Sequence, residues 1–346
     1  MGIQPDILIC RSERPLPEDQ RDKIALFCDV DRDAVISAYD VDTVYRCPVM
    51  FADQGVDDRI VDLLQLTSAG PRNLTRWNAM LDRMCNPKDQ VEIGLVGKYV
   101  EYEDSYKSLK EALLHAGIHH NVKVKMTWIE AEDLHWPACA ESLSHFDGIL
   151  VPGGFGKRGI DGMLHAIRYA RQSRVPYFGI CLGMQTAVIE FARNVCALDG
   201  ADSTEFDPAT QYPVIYKLRD LLGVEELGGT MRLGAYDCLL AENSFARAAY
   251  NRELISERHR HRYEFNRTFE QQLTSRGLRI TGRSLDGKFV EICEIPDHPY
   301  FLGCQFHPEF KSKPLEPHPL FVSFIGAATQ YRQKRLQSET NPLFAE

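Results

Sequence analysis

The sequence predicts an α/β fold with a mostly parallel central sheet, flanked by helices and extended by an antiparallel segment. Strand and helix patterns alternate regularly from Val91 onward, and such alternation favours a parallel sheet with helices on both faces. Turns containing glycine follow the predicted strands that end at Val151 and Ile180. Short strand patterns then occur between Tyr263 and Ile295, which indicates antiparallel pairing. We therefore expect a ligand site at the carboxyl ends of the parallel strands.

The composition is that of an ordinary globular chain in a reducing compartment. Of its 346 residues, 44% are hydrophobic and 26% are charged, and this length predicts about two domains. A net charge of −9 argues against nucleic acid as the main partner. No apolar run is long enough to span a membrane, and residues 1–6 lack the order of a secretory signal. The ten cysteines are scattered without a C-x-x-C pair, so we expect reduced thiols, no metal site and a cytoplasmic location.

Residues 1–66 are predicted to be the closing part of a larger domain. Three short apolar runs are interpreted as strands and one amphipathic segment as a helix, namely Asp6–Cys10, Lys23–Cys28, Ala34–Ala38 and Asp57–Leu66. These elements are too few to complete a doubly wound sheet, so an open edge is expected to aggregate or to dock a partner. Residues 67–90 are polar and interrupted by Gly and Pro, which predicts a linker with a short helix around Trp77–Met84.

Residues 91–336 are predicted to form a second, larger domain, and 337–346 an unassigned tail. Its alternating part is expected to run through strand Val91–Val96, helix Ser105–His115 ended by Gly117, strands Val122–Ile129 and Phe146–Val151, helix Ile160–Arg171, strand Val175–Ile180 and helix Met184–Val195. The remainder is expected to contain short strands near Gly229–Leu233 and Cys238–Leu240, antiparallel strands Tyr263–Phe265, Leu278–Gly282 and Phe289–Ile295, a buried strand Tyr300–Phe306 and helix Pro319–Arg335.

The segment around Cys181 has the pattern of a nucleophile elbow. An apolar strand leads into Gly179, Cys181 and Gly183, and a helical pattern follows, which is the order in which hydrolases carry a nucleophile on a tight turn. Both glycines are required because a side chain at either position would collide as the chain reverses. The dipole and free N–H groups at the start of a helix favour the thiolate of a cysteine there. The alternative is a buried structural cysteine in an ordinary strand–helix turn.

Two other predicted strand ends carry residues suited to the same chemistry. Residues 151–156 read V-P-G-G-F-G, and consecutive glycines let backbone N–H groups point outward, as an oxyanion hole requires. His307 and Glu309 follow a later strand and share one face, so the carboxylate can orient the imidazole toward a nucleophile. The alternatives are a plain turn and an ordinary strand-end histidine. The coincidence of three such strand ends favours a single catalytic pocket.

These motifs resemble those of the triad-type, class I glutamine amidotransferase domain and, more closely, those of the CTP synthase family. The resemblance rests on P-G-G-F-G at 152–156, G-I-C-L-G-M-Q at 179–185 and Q-F-H-P-E at 305–309, with S-T-E-F at 203–206, R-H-R-H-R-Y-E at 258–264 and I-Q-P-D-I-L-I-C-R at 3–11 as marks of the narrower family. It extends from about Gly2 to Arg335. It implies the class I amidotransferase fold, preceded at 1–66 by a remnant of the amidoligase domain.

The resemblance also implies a role for each conserved-motif residue. Cys181 would attack the side-chain amide of L-glutamine to give a glutamyl thioester and ammonia. His307 would move the protons, Glu309 would hold His307, and the backbone N–H groups of Gly154 and Leu182 would form the oxyanion hole.

Further residues are implied to hold the substrate. Glu205 would bind the α-amino group of glutamine and Arg262 its α-carboxylate. Gly153, Phe155 and Gln185 would complete the pocket, with Phe155 beside the ammonia exit.

The sequence departs from the family in one respect that affects its expected activity. The amidoligase domain of the family carries a phosphate loop, Mg²⁺ ligands and most of the UTP site, but this sequence has no G-x-x-x-x-G-K-[ST], and Gly94–Lys98 is only a shorter look-alike. The resemblance leaves Arg11 and Lys23 as remnants of nucleotide-phosphate contacts. The glutaminase step needs no cofactor, whereas ATP, Mg²⁺, UTP and the GTP effector belong to the intact family. We expect a truncated or two-chain form that needs an amidoligase domain or chain as partner and makes no CTP alone; whether it keeps the family's homo-oligomer is open.

Two other functions remain open. One is a different γ-glutamyl hydrolase on the same fold, although Glu205 and Arg262 favour free glutamine over a peptide. The other is a catalytically weak glutamine-binding or regulatory module, although an intact triad favours an enzyme. Neither nucleic acid nor a membrane is expected as a partner.

Overall fold

A computed structural model describes residues 4–67, 70–98, 106–217 and 231–340. The chain divides into two compact units, Met1–Cys85 and Asn86–Glu346. The helix predicted around Trp77–Met84, in the segment interpreted as a linker, is present and belongs to the first unit. Among the described residues, no helix combines the length and the apolar character needed to cross a lipid bilayer.

The first unit contains a small parallel sheet and helices. Its described elements are β1 (Leu8–Ser12), α1 (Glu18–Cys28), β2 (Val35–Tyr39), α2 (Cys47–Asp53), α3 (Val56–Leu63) and α4 (Thr75–Cys85). Strands β1 and β2 pair in parallel from Leu8 opposite Val35 to Ser12 opposite Tyr39. The predicted strands at Asp6–Cys10 and Ala34–Ala38 and the helix at Asp57–Leu66 are therefore confirmed, with shifted ends.

The predicted strand Lys23–Cys28 is wrong, because these residues are the second half of helix α1. The apolar run is short, and the polar residues before it continue the helix from Pro17, with Glu18 and Asp19 in its first turn. Most of the run is also exposed, since Leu26 is 79% and Phe27 is 86% exposed, although Ala25 is buried. A short apolar run cannot distinguish strand from helix by its pattern alone.

The second unit is built on a mixed nine-stranded sheet in the described residues, with the order β10-β9-β12-β13-β14-β6-β5-β3-β4. Its strands are β3 (Asp89–Gly97), β4 (Val122–Glu130), β5 (Gly148–Val151), β6 (Tyr177–Ile180), β9 (Arg232–Leu240), β10 (Leu254–His261), β12 (Arg279–Ser284), β13 (Val290–Glu294) and β14 (Phe301–Cys304). A separate small sheet contains β7 (Asp202–Ser203), β8 (Pro213–Lys217) and β11 (Tyr263–Phe265). The described helices are α5 (Lys107–His120), α6 (Cys139–Leu143), α7 (Ile160–Gln172), α8 (Leu182–Asn194), α9 (Phe245–Tyr250), α10 (Glu270–Thr274) and α11 (Pro319–Thr340).

The sheet has a parallel half and an antiparallel half, which confirms the predicted fold class. Strands β14, β6, β5, β3 and β4 are parallel neighbours, whereas β13 pairs with β14 antiparallel. Buried side chains of α7 and α8, such as Ile167 and Val188, pack in one core, and those of α5 and α11, such as Leu113 and Phe324, pack in a second core. Helices thus cover both faces of the sheet, and the carboxyl ends of the parallel strands are free to build a site.

Two predicted details of the second unit are wrong. Gly117 does not end α5; the helix continues to His120 and ends at Asn121, which is left-handed with φ 57°. A Cβ at Gly117 would lie 2.8 Å from the carbonyl oxygen of Val122, so this glycine is needed for close packing. The two short strands expected near Gly229–Leu233 and Cys238–Leu240 are one strand, β9, as far as these residues are described.

Strand β10 was not predicted as a pairing strand of the main sheet. It alternates strictly between exposed and buried residues, with Ile255, Glu257, His259 and His261 buried. Its inward polar residues conceal the alternation, because hydropathy patterns count them as exposed.

Candidate active site

The turn around Cys181 has the geometry of a nucleophile elbow. Cys181 lies between β6 and α8, and its backbone has φ 51° and ψ −100°, a strained conformation for a residue with a side chain. A Cβ at Gly183 would lie 2.1 Å from the carbonyl oxygen of Val151, and one at Gly179 would lie 2.7 Å from the backbone of Gly183. The sequence-based argument that both positions must be glycine is therefore confirmed.

His307 and Glu309 lie together where the chain leaves β14. His307 precedes a short 3₁₀ turn, Pro308–Lys311, and its backbone N–H donates to the carbonyl oxygen of Arg258 at 2.8 Å. Its Nδ1 lies 2.8 Å from Glu309 Oε1, in a pair whose side chains are only 12% and 11% exposed. Nε2 is buried and has no hydrogen-bond partner among the described residues. The carboxylate thus fixes one ring nitrogen and leaves the other available for proton transfer.

The imidazole of His307 also borders the cysteine. A Cβ placed on Gly153 would lie 2.8 Å from His307 Cε1 and 3.5 Å from Cys181 Cβ, so both side chains approach the same point. Burial lowers the pKa of His307, but the adjacent Cys181 sulfur and Glu309 carboxylate outweigh burial and raise the pKa to about 10. The arrangement therefore favours a protonated ring beside the sulfur at neutral pH.

The glycine turn after β5 is held by Lys98 and Glu205. The ammonium of Lys98 donates to the carbonyl oxygens of Phe155, at 3.2 Å, and of Gly156. The N–H of Gly156 donates to Glu205 Oε1 at 2.7 Å. Burial lowers the pKa of Lys98 to about 8, an effect that the nearby Glu205 opposes. Two opposite charges thus fix the turn from its carbonyl side and from its N–H side.

A pocket of about 520 Å³ opens at this point. It brings together six of the predicted site residues, namely Gly153, Gly154, Phe155, Cys181, His307 and Glu309. Leu182 begins α8 beside the pocket, so its N–H has no acceptor within the helix. A Cβ on Gly154 would lie 3.1 Å from the Leu182 side chain, so the two residues predicted to supply the oxyanion hole are neighbours.

The other predicted glutamine-binding residues, Gln185, Glu205 and Arg262, are not part of the lining of this pocket. Gln185 is 3% exposed, and its side-chain nitrogen donates to the carbonyl oxygen of Tyr263 at 3.1 Å and to Gln305 Oε1 at 3.2 Å. Glu205 contacts the glycine turn through the N–H of Gly156. Arg262 is exposed between β10 and β11.

The two residues predicted as remnants of a nucleotide site lie in the first unit. Arg11 forms an ion pair with Asp40, and Lys23 Nζ lies 3.6 Å from Asp19 Oδ2. All four side chains are more than half exposed. Each cation faces an exposed carboxylate in a surface ion pair, and the assignment of both residues as remnants of nucleotide-phosphate contacts stays a prediction.

The sequence analysis missed two residues of the site. Gln305 is fully buried, and its side-chain nitrogen lies 3.6 Å from Cys181 Sγ. Its position two residues before His307 is a signal, since alternate residues of a strand share a face. Lys98 was dismissed as a look-alike of a phosphate-loop lysine, although a lysine that ends a buried strand must find partners for its charge.

Family comparisons cover both units. The family described as glutamine amidotransferase class-I matches residues 101–327, and the one described as CTP synthase N-terminus matches residues 1–66.

Two curated relatives are similar over nearly the whole chain. A CTP synthase of Acidobacterium capsulatum is 64% identical over 330 residues, which cover 95% of this chain and 60% of the relative. A CTP synthase of Koribacter versatilis is 60% identical over 343 residues, which cover 98% of this chain and 61% of the relative. The chain thus spans about three fifths of the length of the curated relatives that it matches.

A solved structure matches the second unit's fold. It is the glutaminase domain of the Trypanosoma brucei CTPS with bound acivicin, which is 37% identical to this chain with a TM-score of 0.66. The match covers 69% of this chain and 94% of that one.

Proposed function

The chain belongs to the CTP synthase family and carries its class I glutamine amidotransferase domain, and on this premise we propose that it hydrolyses L-glutamine through a thioester on Cys181. The observation that supports this most strongly is the convergence of three strand ends. A strained cysteine elbow, an imidazole–carboxylate pair and a glycine turn border one pocket. Such a set supplies a nucleophile, a proton carrier and an oxyanion site together.

In the first half of the reaction, the Cys181 thiolate attacks the side-chain amide carbon of glutamine. The C–S bond forms while the carbonyl electron pair moves to oxygen, and the N–H groups of Gly154 and Leu182 stabilise that oxyanion. Protonated His307 gives its proton to the amide nitrogen through Nε2. The C–N bond then breaks, so that ammonia leaves and a glutamyl thioester remains.

In the second half, water replaces ammonia. Neutral His307 removes a proton from the water as it attacks the thioester carbonyl, and the oxyanion forms again in the same site. The C–S bond breaks, which releases glutamate and restores the thiolate beside the imidazolium. Glu309 keeps the ring in one orientation through both halves, since its hydrogen bond to Nδ1 leaves Nε2 facing the reaction.

Free glutamine is the proposed substrate. It is a zwitterion, so a site that binds it needs a carboxylate for its α-ammonium group and a cation for its α-carboxylate. Glu205 would bind the α-ammonium from its position at the glycine turn, and Arg262 the α-carboxylate. Gly153 lets the substrate approach closely, and Phe155, which is 56% exposed, would cover it. Gln185 would complete the site, although its side chain is buried outside the pocket lining.

Beyond hydrolysis, we propose that the ammonia serves an ATP-dependent amination of UTP to CTP by an amidoligase domain or chain. The resemblance of residues 1–66 to the N-terminal part of CTP synthase supports this partner. So do the exposed Leu26 and Phe27 on α1, which suit a contact with further protein. ATP, Mg²⁺, UTP and the GTP effector would be bound largely by that partner, and a homo-oligomer is proposed by analogy with the family. We expect no CTP from ATP, UTP and ammonia with these 346 residues alone, and detectable CTP would contradict this.

The proposal is tested by measuring glutamate released from glutamine, with Cys181→Ser as control and with or without GTP. We expect release by the unaltered chain and none above background by the variant. Equal release by both would overturn the nucleophile, and faster cleavage of a γ-glutamyl peptide than of glutamine would favour another γ-glutamyl hydrolase. A glutamine-analogue electrophile should modify Cys181 alone among the ten cysteines.

A further inference from the structure

Gln305 is a buried amide that the reaction described above does not use. It follows directly on β14 and is fully buried, and its backbone N–H donates to the carbonyl oxygen of Glu291 at 2.8 Å. The backbone is thus fixed, and the side chain reaches the catalytic sulfur: Nε2 lies 3.6 Å from Cys181 Sγ, within reach of an N–H···S hydrogen bond. A buried amide must satisfy both of its ends, so the direction in which it points matters chemically.

The orientation of the Gln305 amide is determined by the backbone carbonyl of Tyr263, to which it is connected through the side chain of Gln185. The carbonyl oxygen of Tyr263 can only accept, so the Gln185 atom 3.1 Å from it must be the NH₂ group. The second hydrogen of that NH₂ group points to the Gln305 side-chain atom at 3.2 Å, which must therefore be oxygen. The other end of the Gln305 amide, its NH₂ group, then faces Sγ. Reversing Gln185 would bring its oxygen against the Tyr263 carbonyl oxygen, and reversing Gln305 alone would bring two NH₂ groups together.

The Tyr263 carbonyl is itself held in place from a second side. His261 Nδ1 lies 3.1 Å from the same oxygen and must donate to it, and His261 Nε2 lies 2.9 Å from His259 Nδ1. Both rings are buried. The acceptor that orients Gln185 is therefore part of a fixed internal chain of hydrogen bonds.

We propose that Gln305 is a further catalytic residue, whose side-chain N–H donates to the Cys181 sulfur and favours its thiolate, and that Gln185 is the positioning residue for that amide. In treating Cys181 as the nucleophile, this inference rests on the proposed function. An N–H donor stabilises the thiolate more than the thiol, because the anion is the stronger acceptor. It acts twice in each turnover, before the attack on the amide and again when the thiolate leaves the thioester.

Gln305 differs in kind from His307, the other group that favours the thiolate. The imidazolium gives up its proton during the reaction, so its effect on the sulfur changes with each step. An amide does not titrate in the working pH range, and its N–H remains a donor throughout. The sulfur thus keeps one constant donor while the histidine alternates between acid and base.

The test is the pH dependence of Cys181 alkylation by iodoacetamide, which reacts with thiolates and needs no glutamine. The labelled peptide is quantified by mass spectrometry from pH 4 to 10 for the unaltered chain, Gln305→Met and Gln305→Leu. We expect both variants to raise the pH midpoint of labelling by about one unit, a tenfold loss of thiolate at a given pH. An unchanged midpoint in a folded variant would overturn the role of Gln305.

Thr186→Val is the matched control for loss of a buried polar group near the elbow. Thr186 is fully buried in α8, and its hydroxyl donates to the carbonyl oxygen of Leu182 at 2.8 Å rather than to sulfur. We expect its midpoint to equal that of the unaltered chain. A shift as large as that of the Gln305 variants would mean that general loosening of the elbow, and not the N–H···S contact, sets the midpoint.

Gln185→Met tests the positioning step and gives a reading even if neither Gln305 variant folds. The Gln305 amide would then be free to turn its oxygen toward the sulfur, so we expect a midpoint shift in the same direction but smaller. An unchanged midpoint would contradict the positioning role of Gln185.

Glutamate release is measured in parallel with alkylation. If the alkylation midpoint shifts in the variants but the unaltered chain releases no glutamate, the proposed function is overturned and the hydrogen bond from Gln305 to the sulfur is retained.

Discussion

Cys181 and Cys304 lie at the ends of neighbouring parallel strands and differ in nearly everything that determines reactivity. Their strands, β6 and β14, are paired, and the backbone N–H of Cys181 donates to the carbonyl oxygen of Cys304 at 2.7 Å. Both side chains are buried, with exposures of 3% and 0%. Depth in the protein therefore does not separate the two sulfurs.

The surroundings of the two thiols do separate them. Burial raises the pKa of the Cys304 thiol well above its usual range, and its S–H donates to the carbonyl oxygen of Phe306 at 3.5 Å. Cys181 has the start of a helix, an amide N–H and an imidazole around it instead. The Cys304 sulfur thus contacts a hydrogen-bond acceptor, whereas the Cys181 sulfur is surrounded by donors. The comparison teaches that the polarity of the neighbouring groups, together with the place of Cys181 in the pocket lining, selects the nucleophile.

The most direct test of this comparison is to substitute each of the two cysteines separately. Cys181→Ser is expected to lower glutamate release by at least about 1000-fold, because the nucleophile is lost. Cys304→Ala removes a sulfur that contacts no substrate, so we expect most of the activity to remain. The measurement is a coupled glutamate assay at saturating glutamine. A comparable loss in both variants would show that the two thiols are not functionally distinct.

Substitutions of the glycines near the two cysteines should also differ, in how much each lowers the stability of the protein. A Cβ at Gly183 would lie 2.1 Å from the Val151 carbonyl oxygen, whereas one at Gly303 would lie 3.0 Å from Met184. We expect Gly183→Ala to lower the free energy of unfolding by about 3 kcal/mol and Gly303→Ala by about 1 kcal/mol. Urea titrations give both values. The reverse order would mean that the elbow is less constrained than the strand beside it.

Glu309→Gln sharpens the comparison by altering only the support of the imidazole. The amide can still hold the ring, but it stabilises the imidazolium less and can favour the wrong tautomer. We expect kcat for glutamine hydrolysis to fall about 100-fold with little change in KM. Glu316→Gln, an exposed carboxylate in the same loop region, is the matched control and should leave kcat unchanged. A large rise in KM instead would assign Glu309 to substrate binding.

The smallest expected effect is on the pH dependence of stability. The pKa of His307 is raised to about 10 from an ordinary value near 6.5, so the folded state holds the extra proton between these values. Its stabilising contribution is complete below about pH 6.5 and is lost as the pH rises toward 10. In Glu309→Gln, we expect the decrease in unfolding free energy across this window to be smaller by about 1 kcal/mol. Urea titrations at pH 6.5 and pH 9.5 measure it, and an identical decrease in both proteins would contradict the assignment.

The parts of the site that sequence could predict are those fixed by local chain geometry. The elbow follows from two glycines spaced around Cys181, although only the constraint at Gly179 is local, since the one at Gly183 comes from the Val151 carbonyl on β5. His307 and Glu309 are adjacent, as their spacing predicts, although the 3₁₀ turn Pro308–Lys311 rather than the two-residue repeat of a strand brings them together. The helical pattern of α8 and the glycine turn after β5 are equally local, and the parallel order of the strands follows from their alternation with helices.

The parts that sequence could not predict depend on contacts between distant residues. Gln305 contacts Cys181 across 124 positions of the chain, and Glu205 meets Gly156 across 49. The periodic pattern of a helix or a strand in the sequence gives no information on such distant pairs. The predicted strand at Lys23–Cys28 is wrong for a related reason, because its large apolar residues Leu26 and Phe27 are exposed, and pattern analysis equates apolar with buried.

The left-handed backbone at Cys181 has a consequence for how this protein could change over generations. Only glycine adopts such dihedral angles without strain, so the cysteine makes the fold less stable by about 1 to 3 kcal/mol. Chemistry at the sulfur is what offsets that disadvantage. A protein that no longer depended on the reaction would therefore gain stability through a change to glycine at this one position.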